Sequence, residues 1–373
     1  MRIGIDVNPL GIASDTMGAY IYNVLLYLQR SNEENEYFLY SNIPLARELE
    51  LDARFHMRIE NSGGHLKWLL TTLPKRMAED KLDVFWQPSF ILPRSARGVK
   101  TVITVHDMAA YAYGYSSPKA NITHKLLLKP SCKRAQKVIA ISQACKEDIV
   151  RYMGIDPGKI QVVYNGIKMF DDAPIPVETA EACMQKYGIR KEDYLLFVGT
   201  LSPRKNDRVI VEGYFAYRKR GGTKKLVLAG NIAEKSLPVK EMIQQSAYRD
   251  DIILTGYISE TEKKILYYQA AMLLYPSRLE GFGFPLLEAM QARIPVITAN
   301  VSCMPEIAQD AALYLNNIDD PAELAERIFD AEALTPEEKQ TLTERGLARV
   351  AFFSREDARK KTLEAIERTV REY

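Results

Sequence analysis

AMLLYPSRLEGFGFPLLEAM, residues 271–290, reads as a strand, a glycine-containing loop and the start of a helix. The apolar run AMLLYP (271–276) suits a strand. Glu280 lies in the loop, and Pro285 suits the first turn of a helix that carries Glu288 about one turn in. Gly281 and Gly283, set between Phe282 and Phe284, let backbone amides approach a ligand closely, which a side chain would prevent. A carboxylate accepts two hydroxyl hydrogen bonds at once, and paired hydroxyls are what sugars and riboses offer. Two carboxylates around such a loop describe a site for a sugar-bearing nucleotide. On spacing alone, an ordinary loop acid and a helix-surface acid explain them equally well.

The same strand–helix unit recurs along the chain. In the first half the strand candidates are RIGIDV (2–7), EYFLYS (36–41), DVFWQ (83–87), KTVITVH (100–106), KVIAIS (137–142) and KIQVVYNG (159–166). In the second half they are YLLFVG (194–199), KLVLAG (225–230), IILTG (252–256), AMLLYP (271–276) and IPVITA (294–299). Continuous β-branched and leucine runs followed by helices mean strands buried on both faces, hence parallel sheets. Two such series predict an α/β protein of two doubly wound, Rossmann-like domains, with ligands at strand carboxyl ends and in the cleft between the domains. The expected boundaries are 1–175 for the first domain and 176–353 for the second, with a helix over 354–373 packing back on the first.

Bulk composition narrows the function. At 373 residues and a net charge of +2, the chain is long enough for two domains and too nearly neutral for a wholesale nucleic-acid binder. Four scattered cysteines, no CxxC pair and no histidine at ligand spacing fit a reducing compartment rather than a disulfide framework or a zinc site. Arg2 and Asp6 interrupt the first apolar run, so it does not read as a signal peptide, and no apolar run is long enough to span a bilayer. The expectation is a cytoplasmic protein.

After YLLFVG comes Gly199-Thr200, then Arg204 and Lys205, then a helix from about Asn206. Adjacent cations before a helix N-terminus suit a diphosphate; a solvated basic turn is the plainer reading. No GxGxxG follows, no P-loop occurs, and no DxD triplet is present to hold a divalent ion. If a diphosphate binds here, basic residues and amides must stand in for a metal, so neither metal nor cofactor is expected.

Glu280 and Glu288, with seven residues between, resemble the E-x7-E signature of the retaining nucleotide-sugar glycosyltransferases of family 4, which have the GT-B fold. VGTLSPRKN (198–206) resembles that family's donor-phosphate turn in its bacterial mannosyltransferase-like branch. TVHDM (104–108), VIAISQACKEDIVRYMGI (138–155) and VVYNGI (162–167) are similar blocks in the same order, so the resemblance covers nearly the whole chain. It implies that Glu280 contacts the donor sugar's hydroxyls, that Gly281, Phe282, Gly283 and Phe284 supply amides, and that Glu288 holds the ribose. Arg204 and Lys205 would bind the diphosphate beside Gly199 and Thr200. His106 would face the transferred sugar or the acceptor, and Gly18 would belong to a loop approaching the phosphates. Many relatives have Arg where this chain has Thr200, which leaves the division of labour between Arg204 and Lys205 open.

The implied activity is metal-independent transfer of a hexose, foremost mannose from GDP-mannose, onto a glycan or lipid-linked saccharide of a bacterial surface polysaccharide. A UDP-sugar donor and a sugar-nucleotide 2-epimerase of similar architecture are the alternatives. Between Met108 and Lys146 no acidic residue occurs, while Lys119, Lys125, Lys129, Lys133 and Lys137 do. With HLKWLLTTLPKR (65–76), this basic region 119–137 could rest on an anionic membrane at the inner face, or serve as a solubilising surface. Tyr111, Tyr113 and Tyr115 could form a stacking platform for an acceptor sugar, or could be core.

Overall fold

The computed structural model describes every residue except 13–15, 32–33, 47, 62, 95–97, 114–117, 168–169, 171–172, 354 and 373. Tyr115, considered above, therefore lies outside the described residues. The chain forms two compact units, Met1–Gly166 with Arg355–Tyr373, and Ile167–Ser354.

The first unit holds a seven-stranded sheet in the order β3-β2-β1-β4-β5-β6-β7. Its strands are β1 (Arg2–Asp6), β2 (Glu36–Ser41), β3 (Phe55–Ile59), β4 (Val84–Gln87), β5 (Lys100–Val105), β6 (Lys137–Ala140) and β7 (Ile160–Val162). The second unit holds six strands in the order β10-β9-β8-β11-β12-β13. These are β8 (Tyr194–Val198), β9 (Lys225–Ala229), β10 (Ile252–Gly256), β11 (Met272–Tyr275), β12 (Val296–Ala299) and β13 (Leu313–Leu315). Every ladder between these strands is parallel. The central strands are buried almost throughout, which is why their sequences run apolar instead of alternating.

Several expectations change. β3 and β13 escape a search for apolar runs. In FHMRI (55–59) only Phe55 is buried, with half-buried His56 and Arg58 alternating with exposed Met57 and Ile59 as on an edge strand, and LYL (313–315) is only three residues long. The units part at Gly166/Ile167 rather than after 175. The segment that follows belongs to the second unit because Ile167 N donates to Phe353 O at 3.1 Å and Phe170 N donates to Gln291 Oε1 at 2.9 Å.

The helix Arg355–Glu372 packs on the first unit: Leu363, Ala365 and Ile366 join the core formed by β1, β4 and the helix Thr16–Arg30. Asn35 Nδ2 donates to Glu367 Oε1 at 3.0 Å across the same contact.

The lysine stripe is shorter than a continuous helix would give. The helix Pro118–Arg134 runs through Pro130, but Lys137 opens β6 and lies 3.5 Å from Glu372. In residues 65–76, Trp68 is 2 % exposed and part of the core, so it is not available to a membrane; Leu66 and Leu70 are the exposed apolar positions.

Candidate functional site

The second sheet reverses its winding between β8 and β11, the two strands that start its outward runs in opposite directions. Ligands of open parallel sheets bind outside the carboxyl ends at such a switch point. Because β8 and β11 are neighbours in parallel register, the turns leaving them land side by side. One carries Arg204 and Lys205 in a single 3-10 turn, Pro203–Lys205; the other carries Glu280.

Both cations close on that carboxylate. Arg204 Nη1 lies 2.8 Å from Glu280 Oε2, and Lys205 Nζ lies 2.6 Å from Glu280 Oε1. The Glu280 side chain is only 10 % exposed. Burial alone would raise its pKa, but Lys205 and then Arg204 outweigh that and hold the carboxyl down at about 2. Lys205 shifts downward: burial disfavours the ammonium and Arg204 adds repulsion, against the pull of Glu280. The solvated-turn reading of this pair fails for Lys205, which is 9 % exposed.

Residues that the sequence does not single out hold these turns in place. Arg204 Nη1 also donates to Leu279 O at 2.6 Å, and Arg278 N donates back to Arg204 O at 2.9 Å. The Arg278 guanidinium reaches Asn206 Oδ1 at 2.8 Å and pairs with Asp319. Ser302 Oγ accepts from Glu280 N at 3.1 Å and donates to Glu280 O at 3.0 Å, fixing the backbone from the loop after β12. The phenol of Tyr275 meets the Lys205 ammonium. A buried aromatic at a strand end and a lone loop serine look like core and linker in sequence, and only the paired turns reveal their use.

Glycine is required at two points of this frame. Gly283 has φ 95° immediately before the helix Phe284–Gln291, a conformation L side chains rarely adopt. A Cβ on Gly230, at the end of β9, would lie 2.2 Å from Gly199 O, so glycine there lets the first turn after β8 sit against its neighbour.

Glu288 belongs to a separate ion-pair group. Lys263 Nζ, on the helix Glu260–Gln269, lies 3.0 Å from Glu288 Oε1 and 3.1 Å from Glu260. The buried phenol of Tyr267 also faces Glu288. Phe282 is buried against Phe284 and Phe353, so its ring serves packing and only its backbone is available to a ligand.

Two expected residues lie in the first unit. His106 Nε2 bonds Pro88 O at 2.7 Å, and its ring sits edge-on to Tyr20 and Phe90. Gly18 is buried where the helix Thr16–Arg30 crosses the turn Asn8–Gly11; a Cβ would lie 2.7 Å from Pro9 O, which gives it a packing role. Tyr111 donates its hydroxyl to Lys125 O at 2.9 Å, tying it into the fold, while Tyr113 is exposed. Among the described residues no three His, Cys, Asp or Glu side chains gather as a metal site would need.

Residues 180–348 match the model of glycosyl transferases group 1, and residues 17–169 match that of glycosyltransferase family 4. The chain is a family 4 glycosyltransferase. This glycosyltransferase is 28 % identical over 303 residues to O-antigen chain mannosyltransferase B of Escherichia coli, covering 78 % of this chain and 77 % of that one. It is 30 % identical over 218 residues to O-antigen chain mannosyltransferase RfbU of Salmonella typhimurium, covering 58 % and 57 %. In fold it is similar to a glycosyltransferase from Rickettsia africae, with TM-score 0.74 at 19 % identity and coverage of 100 % and 99 %. HepE of Anabaena, solved in complex with UDP and glucose, gives TM-score 0.71 at 16 % identity with coverage of 98 % and 99 %. The two parallel-sheet units are thus those of the GT-B glycosyltransferases.

Proposed function

We propose that this glycosyltransferase transfers a hexose from a nucleoside-diphosphate sugar to a growing saccharide with retention of configuration and without a metal. The observation that carries the reading is the Glu280 carboxylate held at 2.8 Å by Arg204 and 2.6 Å by Lys205 at the switch point of the second sheet. A diphosphate placed there would take over both cations, and the released carboxylate would accept hydroxyls of the donor sugar. The same cations then meet the charge that grows on the departing diphosphate, which is where electrostatic stabilisation lowers a barrier. Glu288 is assigned the ribose hydroxyls, Gly199 and Thr200 with the backbone of 281–284 the phosphates and sugar, and His106 the transferred sugar or acceptor.

Similarity to O-antigen mannosyltransferases favours mannose from GDP-mannose, with a glycan or lipid-linked acceptor of a surface polysaccharide. The UDP held by HepE favours a UDP-sugar as the second reading. A thermal-shift panel of GDP-, UDP-, dTDP- and ADP-sugars decides between them: the true donor raises the melting temperature, and no response to any would overturn the assignment. Chelator should leave transfer unchanged; loss restored by magnesium would refute metal independence.

Peripheral attachment to an anionic membrane at the cytoplasmic face completes the proposal. Its support is that Lys125 and Lys133 are exposed on the helix Pro118–Arg134 beside exposed Ile122 and Leu126. No helix among the described residues is long and apolar enough to cross a membrane. Sedimentation with phosphatidylglycerol vesicles but not with phosphatidylcholine vesicles is the expected result.

A further inference from the structure

Glu280 is asked to do two things, to neutralise buried cations and to receive sugar hydroxyls. An ammonium as buried as Lys205 needs acceptors that do not leave when a donor arrives. Among the described residues the groups facing it are few. Glu280 and Tyr275 come from β11 and its loop, Arg204 from its own turn, and Cys303 from the loop after β12. Of these, only Glu280 and Tyr275 have an oxygen that can accept from the ammonium.

Tyr275 is built to stay. It is 1 % exposed, its ring stacks on Phe197 with centroids 6.3 Å apart, and its carbonyl accepts from Thr298 Oγ1 at 2.9 Å. Lys205 Nζ also lies 4.6 Å from the centre of its ring. The phenol can accept from Lys205 while donating its own proton to the Glu280 carboxylate.

We propose that Tyr275 is a positioning residue of the donor site, holding the Lys205 ammonium charged and aimed once Glu280 has turned to the sugar. This rests on the donor-site reading above. Because the phenol acts on the charged form of Lys205, its loss favours deprotonation, and binding of a diphosphate should fail at lower pH than in the native chain.

The test is calorimetric binding of GDP and UDP by the full chain between about pH 7 and 10, for wild type, Tyr275→Phe and Lys205→Met. Wild-type affinity should fall on the alkaline side as Lys205 loses its proton. Tyr275→Phe keeps the ring and the fold, read from an unchanged melting transition. It should move that midpoint down by about one pH unit, so that affinity between the two midpoints drops by up to about tenfold. Lys205→Met should bind weakly with no alkaline limb. A Tyr275→Phe midpoint equal to wild type overturns the role of Tyr275, with the donor site intact. A limb that survives in Lys205→Met also overturns it, since another group would then be titrating. A wild type that binds neither nucleotide at any pH overturns the donor-site reading and this inference with it.

Discussion

Glu280 is the residue on which the site turns, and its environment makes its variants informative. Removing one partner of a buried ion pair leaves the other charge uncompensated, at a cost on the order of 3–5 kcal/mol. Glu280→Ala should therefore lower the melting temperature, abolish transfer, and still bind GDP or UDP, because the diphosphate supplies the missing counter-charge. The thermal shift on adding nucleotide should be larger in the variant than in wild type; turnover of donor at the wild-type rate would refute the assignment. The same carboxyl sets an acid limit. Its pKa of about 2 in the folded chain lies below the ordinary 4.5. The stability it contributes is fully present above pH 4.5 and is lost as pH falls towards 2, so urea midpoints should decline across that window and Glu280→Gln should flatten the decline. Glu280, Arg204 and Lys205 were legible in sequence because their charges sit in short turns right after apolar strands. Tyr275, Ser302 and Arg278 were not, since each acts on a turn from another part of the chain that only sheet order brings near.

At the scale of single elements, caps and turns tie local stability to the site. Ser259 opens the helix Glu260–Gln269 with a capping box: its hydroxyl accepts from Glu262 N, and the Glu262 carboxylate receives the Ser259 amide. Ser259→Ala should cost about 1 kcal/mol. In a unit of this size that lowers the melting temperature by roughly 2–4 °C. That helix carries Lys263 and Tyr267, so nucleotide affinity should fall with it while transfer from bound donor changes little. Gly283→Ala forces a methyl group into φ 95° at the start of the helix bearing Glu288, at a cost on the order of 1–3 kcal/mol. Differential scanning calorimetry reads both. The capping box and the central strands were visible in sequence as fixed spacings and unbroken apolar runs. The edge strands β3 and β13 were hidden, one by alternation towards solvent and the other by its length of three residues.

At the scale of the molecule, the division into two units makes a clear thermal prediction. Deleting residues 355–373 strips Leu363, Ala365 and Ile366 from the core of the first unit and leaves the second unit's sheet untouched. The truncated chain should lose the calorimetric transition of the first unit and retain that of the second; loss of both would show that the units do not fold independently. The doubly wound plan was legible from eleven apolar runs in order. The boundary was less so, because Ile167 and Phe170 join the second unit through hydrogen bonds to Phe353 O and the Gln291 side chain that leave no mark in composition.

The placement of the helix Arg355–Glu372 on the first unit also dictates an order of events on the ribosome. The second unit is synthesised, and free to collapse, before the piece that closes the first has been made. Until that piece emerges, the earliest part of the nascent chain waits with apolar surface uncovered. A released chain that ends just before residue 355 should accordingly pair a sticky amino-terminal half, captured by chaperones, with a carboxy-terminal half that is already native.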